Sequence, residues 1–317
     1  MQVKISIKNY RCFSDSNPAR IVIRNGFTAF IGINNSGKSS LLKFFYEFRE
    51  IFHHLSHQNN FIDVLNTQGK GFNLPREVSD SQEVFYNLNN RDLEVIFELI
   101  QEKNDLGNDN LPIFEKFALV IPRNKAYKIN LYHNNRNYLT SQYYFSSSKN
   151  GNVIARSRID SNSGYEFYIN DLLQIFSDLS KTFYIGQFRN AISSLPKMSA
   201  SRMEDIDANY LKYYDIKVGR DFIRQWAESK IGSDKSRNLA IIQLTEDIKR
   251  IFDIDKLEIN ASNDYQSLKL FIEEQVYNLS ELGSGLAQFI LVMANLLVEQ
   301  PVYILIDEPE LNLHPML

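Results

Sequence analysis

Cysteine is almost absent: Cys12 is the only one in 317 residues, which excludes an internal disulfide and a cysteine-built zinc site. A reducing, cytosolic setting fits that usage. Proline (8) and glycine (13) are sparse, while hydrophobic residues reach 44% and charged residues 23%, so extended disorder is not expected and the chain can bury a large core. Long apolar runs are missing as well. The most apolar stretch, Phe289 to Val298, is about half of what a bilayer requires and carries Asn295, so it reads as a buried helix and no membrane association is expected. The first ten residues alternate apolar and polar and lack the apolar core of a secretory signal. An excess of positive charge is also lacking. With 35 basic against 38 acidic residues and a net charge of -3, bulk electrostatics supply no case for nucleic-acid binding.

Periodicity predicts an α/β chain. Val3, Ile5 and Ile7 alternate with polar residues, Ile21 and Ile23 repeat the pattern, and Phe27 to Ile33 reads as a third, nearly continuous apolar strand. Ser39 to His57 has the apolar spacing of a helix with one buried face. The Asn-, Ser-, Gln- and Gly-rich stretch from Gln58 to Asp80 reads as a long loop. Strand-like runs at 93–100, 114–121, 127–132, 153–159 and 165–169 predict an antiparallel β lobe beside the core. A helix over 172–179, a strand over 182–185, helices across 210–252 with a break near 232–235, a strand over 268–272, a helix over 285–299 and a buried strand over 302–307 complete the reading. No heptad repeat is sustained, which excludes a long coiled-coil arm.

Three motifs carry chemistry. Gly32-Ile-Asn34-Asn35-Ser36-Gly37-Lys38-Ser39 matches GxxxxGKS between a predicted strand and a predicted helix. Gly32 and Gly37 let backbone amides curl around phosphates, Lys38 brings a mobile charge to the β and γ phosphates, Ser39 is suited to Mg²⁺, and Ser40 to a cap or the α phosphate. ATP with Mg²⁺ is the expected ligand. The strand Val302 to Ile306 delivers Asp307 and Glu308 at its C-terminal edge, with Pro309 halting it. Asp307 is expected to hold Mg²⁺ through water, and Glu308 to orient or deprotonate the attacking water. Gly283-Ser284-Gly285 opens a helix about one helix length earlier, a second anion-binding geometry. Two cradles in one chain suit a head-to-tail dimer in which Ser284 and Gly285 of one copy cap the γ phosphate held by Lys38 of the other.

The position of the Gly283–Gly285 motif between the phosphate loop and the acidic strand resembles the ABC ATPase superfamily. Lys8-Asn-Tyr-Arg-Cys-Phe13, GINNSGKS, LGSGLAQ and IDEPELNLHP together resemble the ATPase domain of the overcoming-lysogenization-defect (OLD) family and its RecF-like relatives. The resemblance covers both ends of the chain well and the middle poorly. It implies an ABC-type P-loop head with a mixed β-sheet core, an antiparallel β lobe and a helical lobe. The parts are then 1–57 (strands, P-loop and first helix), 58–180 (β lobe and insertion), 181–265 (helical lobe) and 266–317 (signature helix, Walker B and D-loop). It also implies a homodimer through ATP-sandwiched heads, DNA as target, and a partner effector or a following TOPRIM nuclease domain. By the same resemblance Glu310, Asn312 and His314 belong to the D-loop, Gln187 is a Q-loop candidate or else a polar residue of a surface turn, and Arg11 either reaches a nucleotide phosphate or is a strand-edge arginine. A RecF-like repair clamp and a slowly hydrolysing scaffold are the alternatives.

Other residues read as structural. His53 and His57 make one i, i+4 pair without an evident third metal ligand, so a solvated helix end is the better reading. The basic residues between Arg220 and Arg237 are interleaved with acids and read as a helical surface, and most of the 22 phenylalanines and 17 tyrosines read as core.

Overall fold

The computed structural model describes residues 2–66, 69–100, 116–123, 126–133, 136–137, 142–147, 153–158, 166–186, 212–217 and 219–309. The chain divides into two compact units, Met1–Thr182 and Phe183–Leu317. Seven α-helices and several sheets are present among the described residues, a mixed α/β composition.

In the first unit, alternating apolar residues fold β1 (Gln2–Lys8) against β2 (Ala19–Ile23), with Ile5 opposite Ile21. The helical stretch follows as α1 (Lys38–Glu47) and α2 (Arg49–Leu55), joined at Phe48 with the i to i−4 bonding carried across it, since Phe48 N donates to Phe44 O and Phe52 N to Phe48 O. The expected loop after His57 is instead a third helix, α3 (Gln58–Asn66). Its polar composition hid a helical spacing: Phe61, Ile62 and Val64 are buried, and that burial outweighs the weak helix preference of asparagine.

Six more strands extend the sheet or make a second one: β3 (Lys70–Gly71), β4 (Leu93–Ile100), β5 (Lys116–Ile121), β6 (Ala126–His133), β7 (Arg136–Asn137) and β8 (Gln142–Ser147). β4, β5 and β6 add to β1, giving the order β2-β1-β4-β5-β6-β3 with β7 on β6, so the first three runs of the expected antiparallel β lobe continue the N-terminal sheet. A smaller antiparallel sheet joins β8, β9 (Val153–Arg158) and β10 (Glu166–Tyr168). The helix α4 (Asn170–Ser180) closes the unit.

Aromatic packing explains much of the phenylalanine content. Phe97 on β4 and Phe117 on β5 face each other in register and stack at 4.4 Å, and Phe176 on α4 meets them edge-on at 5.7 and 5.3 Å. Phe44, Phe48, Phe52 and Phe61 bring α1, α2 and α3 into the same aromatic core. Burying each ring contributes about 2–3 kcal/mol before chain entropy is counted. The expected strand over Phe27 to Ile33 does not form: no described ladder includes it, and Phe27, Ile31 and Ile33 are 90%, 97% and 83% exposed. Hydropathy signals a preference for burial and says nothing of which edge supplies a partner.

In the second unit β11 (Thr182–Ile185) pairs with the last strand, and two short strands, β12 (Lys212–Tyr213) and β13 (Ile216–Lys217), form a hairpin. The helices α5 (Arg220–Ile231) and α6 (Lys235–Phe252) are separated near Gly232, where the break was expected. β14 (Leu257–Ala261), β15 (Leu268–Ile272) and β16 (Gln275–Asn278) make an antiparallel meander, followed by α7 (Ser284–Glu299) and β17 (Tyr303–Ile306). Trp226, Ile241, Leu244, Ile248, Leu270 and Ile290 are among its core residues. Asn295, fully buried in α7, accepts from Lys217 N at 2.8 Å and donates to Lys217 O at 3.0 Å and Leu291 O at 2.9 Å, so its amide ties β13 to α7 without an unmet bond. The strand expected to be buried, β17, is not: Ile304 and Ile306 are exposed, because its described pairing is with β11 alone in a two-stranded sheet.

Candidate functional site

The glycine loop enters α1 through two left-handed residues, Asn35 (φ 63°) and Gly37 (φ 92°), the second serving as the helix N-cap. Ser36 N donates to Ile33 O at 3.3 Å and closes the turn between them. No side chain caps α1 and its first turn contains no acid, so the chain leaves the positive end of the helix dipole without a carboxylate of that turn. By contrast α6 is capped by Asp234, whose Oδ1 accepts from Ser236 N and Arg237 N.

Lys38 is the first residue of α1, and its ammonium folds back to donate to Gly32 O at 2.8 Å and Ile33 O at 3.0 Å. The charge therefore sits over the loop whose amides an anion would use. Gly37 is required on two counts: its φ is one that side chains rarely adopt, and a Cβ there would lie 2.7 Å from Phe13 Cζ and 2.8 Å from Cys12 Sγ. Gly32 is less crowded, its nearest neighbour being Ser36 Oγ at 3.1 Å from a Cβ. Asn34, Ser36 and Ser40 lie in the loop and first turn with Ser39.

Arg11, also left-handed (φ 46°), turns to the far end of the same helix. Its Nη2 pairs with Glu47 Oε1, its Nε donates to Tyr10 Oη at 3.1 Å, and Tyr10 Oη donates to Glu47 Oε2 at 2.6 Å. Burial works against the guanidinium's charge, but Tyr10 and Glu47 more than offset that and its pKa is raised. Burial first, then the Glu47 charge, holds the Tyr10 phenol well above its ordinary pKa, so it stays a donor. Tyr10 and Glu47 were missed in the sequence; the available signal was a lone carboxylate inside the apolar run of α1, which needs a partner when buried.

In the second unit Asp307 is 3% exposed. Its N–H donates to Ile185 O at 2.9 Å, and its Oδ2 accepts from Tyr184 Oη at 3.2 Å. Tyr184 is held in turn, because its N–H donates to the buried Asp215 Oδ2 at 2.7 Å and its ring meets Tyr214 edge-on at 4.8 Å. Neither Tyr184 nor Asp215 was legible as support for the acid. Glu308 is left-handed (φ 49°) directly after Asp307, a backbone reversal that separates the directions of two adjacent carboxylates.

Gly283 caps α7 and is exposed, with no side-chain cap and no acid in the first turn, and Ser284 and Gly285 are its first two residues. Gln187 and the D-loop residues Glu310, Asn312 and His314 lie outside the described residues. Gly32 to Ser40 lie together at the start of α1 in the first unit, Arg11 sits in the same unit but on Glu47 at the other end of that helix, and Asp307, Glu308 and Gly283 to Gly285 belong to the second. The histidine pair stacks edge-on at 5.0 Å, and no group of three metal-binding side chains occurs among the described residues. No helix among them is long and apolar enough to cross a membrane.

A family model for the AAA ATPase domain matches residues 1–317. The chain belongs to the AAA ATPase domain family. No curated protein matches it. Membership makes this a P-loop ATPase domain, with ATP binding and hydrolysis as its supported function. The Ser39 hydroxyl in the first turn of α1 and, separately in the second unit, the buried Asp307 carboxylate are each oxygen donors of the kind a hard cation such as Mg²⁺ takes.

Proposed function

We propose that this AAA ATPase domain is a nucleotide-operated pairing module, in which ATP held by Gly32–Ser40 of one copy is capped by Gly283–Gly285 of another. The observation that carries this reading is Gly283. Its φ of −56° is open to any residue, and no described atom lies within 4 Å of a Cβ built on it. Nothing in its own unit calls for glycine there, whereas a phosphate approaching the start of α7 from outside would. Lys38 supplies the charge for the β and γ phosphates, Glu308 orients or deprotonates water, and Ser39 with Asp307 would hold Mg²⁺, which neutralises phosphate charge when bound. In the finer reading, supported by the motif resemblance of both chain ends to the OLD family, pairing of the heads controls a DNA-cleaving partner or domain.

Light scattering with and without ATP·Mg²⁺ tests the pairing. Glu308→Gln is expected to lower turnover by about 10²–10⁴-fold and to accumulate an ATP-dependent dimer, and Ser284→Arg in that background to abolish the dimer. A mass that ignores nucleotide in every variant, although ATP is bound, rules the pairing out.

A further inference from the structure

The turn between β1 and β2 holds α1 at both ends. At the N-terminal end, Phe13 and Cys12 occupy the space against Gly37, so close that a single added carbon would collide with them. At the C-terminal end, Glu47 is 3% exposed and bound by Tyr10 and Arg11 from that same turn. The turn is itself stiff. Asn9 and Arg11 are left-handed, Tyr10 and Phe13 exchange backbone bonds at 3.1 and 2.8 Å, and Arg11 N and Asn9 O bond to Val84 O and Tyr86 N. Tyr10 is fully buried, with its ring edge-on to Phe44 at 5.4 Å and Phe48 at 5.9 Å.

A buried carboxylate is a poor device for stability alone, because an apolar residue of similar size would pack there without being desolvated. It is a good device for register, because a helix shifted by one residue or rotated by a third of a turn would leave a charge buried without its partner. The helix so fixed is the one whose first residue is Lys38. We propose that Arg11 and Glu47 are positioning residues for the nucleotide, acting on the phosphates through α1 rather than by contact. The inference rests on the reading of Gly32–Ser40 as the ATP site, and it gives Arg11 a different role from the direct phosphate contact that the motif resemblance implies.

A double-mutant cycle on the full chain, read by equilibrium titration with fluorescent ATP·Mg²⁺ well below the melting transition of every variant, separates the two roles. Arg11→Ala and Glu47→Gln are each expected to weaken ATP binding about tenfold, less than the ~10²-fold that a 1 Å misplacement of reacting groups can cost in rate. The double variant should be no worse than the stronger single, and Arg11→Lys should recover part of the loss. If Arg11 gripped phosphate itself, Glu47→Gln would release it and leave binding intact or tighter, and that result overturns the proposal. So does a double variant in which the losses multiply, or a set of variants with lower melting temperatures and unchanged affinity. Should Glu47→Gln not fold, Tyr10→Phe, which keeps the ring, closes the cycle with Arg11→Ala. Lys38→Ala separates this test from the site reading: wild type that does not bind ATP, or binds it equally without Lys38, sinks both, whereas Lys38-dependent binding indifferent to Arg11 and Glu47 sinks the proposal alone.

Discussion

Gly37 and Gly283 each stand immediately before the first residue of a helix, and they are there for opposite reasons. Gly37 is demanded by its own unit: φ 92° forbids a side chain, and Phe13 and Cys12 fill the space one would take. Gly283 is demanded by nothing described around it, with an ordinary φ and open space. The first unit builds its cradle from within, by aromatic packing and a buried ion pair. The second presents a start of α7 with no side-chain cap, while its buried polar groups Asp307 and Asn295 are held by hydrogen bonds elsewhere in the unit. A glycine required internally reports on the fold, and a glycine not so required reports on what approaches from outside.

The sharpest way to break that comparison is to put the same methyl group in both places. Gly37→Ala is expected to destabilise the first unit by about 2–5 kcal/mol, the sum of a left-handed side chain and a forced contact with Phe13 and Cys12, and to weaken ATP binding with it. Thermal unfolding followed by far-ultraviolet circular dichroism, alongside ATP titration, checks both. A stable Gly37→Ala protein with unchanged affinity would mean that the β1–β2 turn yields easily and does not hold the cradle.

Gly283→Ala should do the reverse. Its effect on stability is expected to stay within about 0.5 kcal/mol, while the nucleotide-dependent increase in mass is weakened. Trp226 makes the first half readable, since it is the chain's single tryptophan and is fully buried in the second unit. Its fluorescence transition in urea should be superimposable on wild type. A shifted transition would show that glycine serves the fold at both helices, and the case for an outside partner at Gly283 would go.

Much of this was legible in the sequence where a short pattern has one physical solution. GxxxxGKS before an amphipathic run fixes a glycine turn and a helix start, and α1 begins at Lys38; the break between α5 and α6 at Gly232 is of the same kind. What failed required knowledge of neighbours. Phe27 to Ile33 has the composition of a strand, yet a strand is a relation between two segments, and none of the described ladders takes it in. Gln58 to Asn66 has the composition of a loop, yet the spacing of Phe61, Ile62 and Val64 is that of a helix with one buried face. Tyr184 and Asp215, which seat Asp307, are 123 and 92 residues from it in the chain; no local pattern connects them.

The two regions should also part company in their response to acid, with the smallest effect of those expected. In the first unit Tyr127 Oη lies 2.7 Å from His54 Nδ1, and burial, then Lys70 and His57, lower the pKa of His54 from 6.5, against the weaker opposing pull of Asp63 and Glu50. Tyr127, whose phenol is itself raised by burial, then donates to a neutral imidazole. Because the folded state binds this proton less readily than the unfolded chain, the contribution is complete above the unfolded value of 6.5 and is lost as pH falls from there through the lowered one. The shifted groups of the second unit are acids: Glu258 is lowered by Asn260 and Lys230, Asp264 by Ser262, and Glu281 by Asn278. Their contributions are present above the ordinary carboxylate values and fade only below them, so between about pH 7 and 5 they are silent. Amide exchange of α2, corrected for intrinsic rates, should therefore lose protection over that interval while the Trp226 transition holds. His54→Gln, which keeps an acceptor for Tyr127 and cannot titrate, should flatten the α2 response. His54 is half-buried and its effect is partly screened, so the test lies in the contrast between the two regions: if both weaken together, or if His54→Gln leaves the slope unchanged, the titration belongs to some other group.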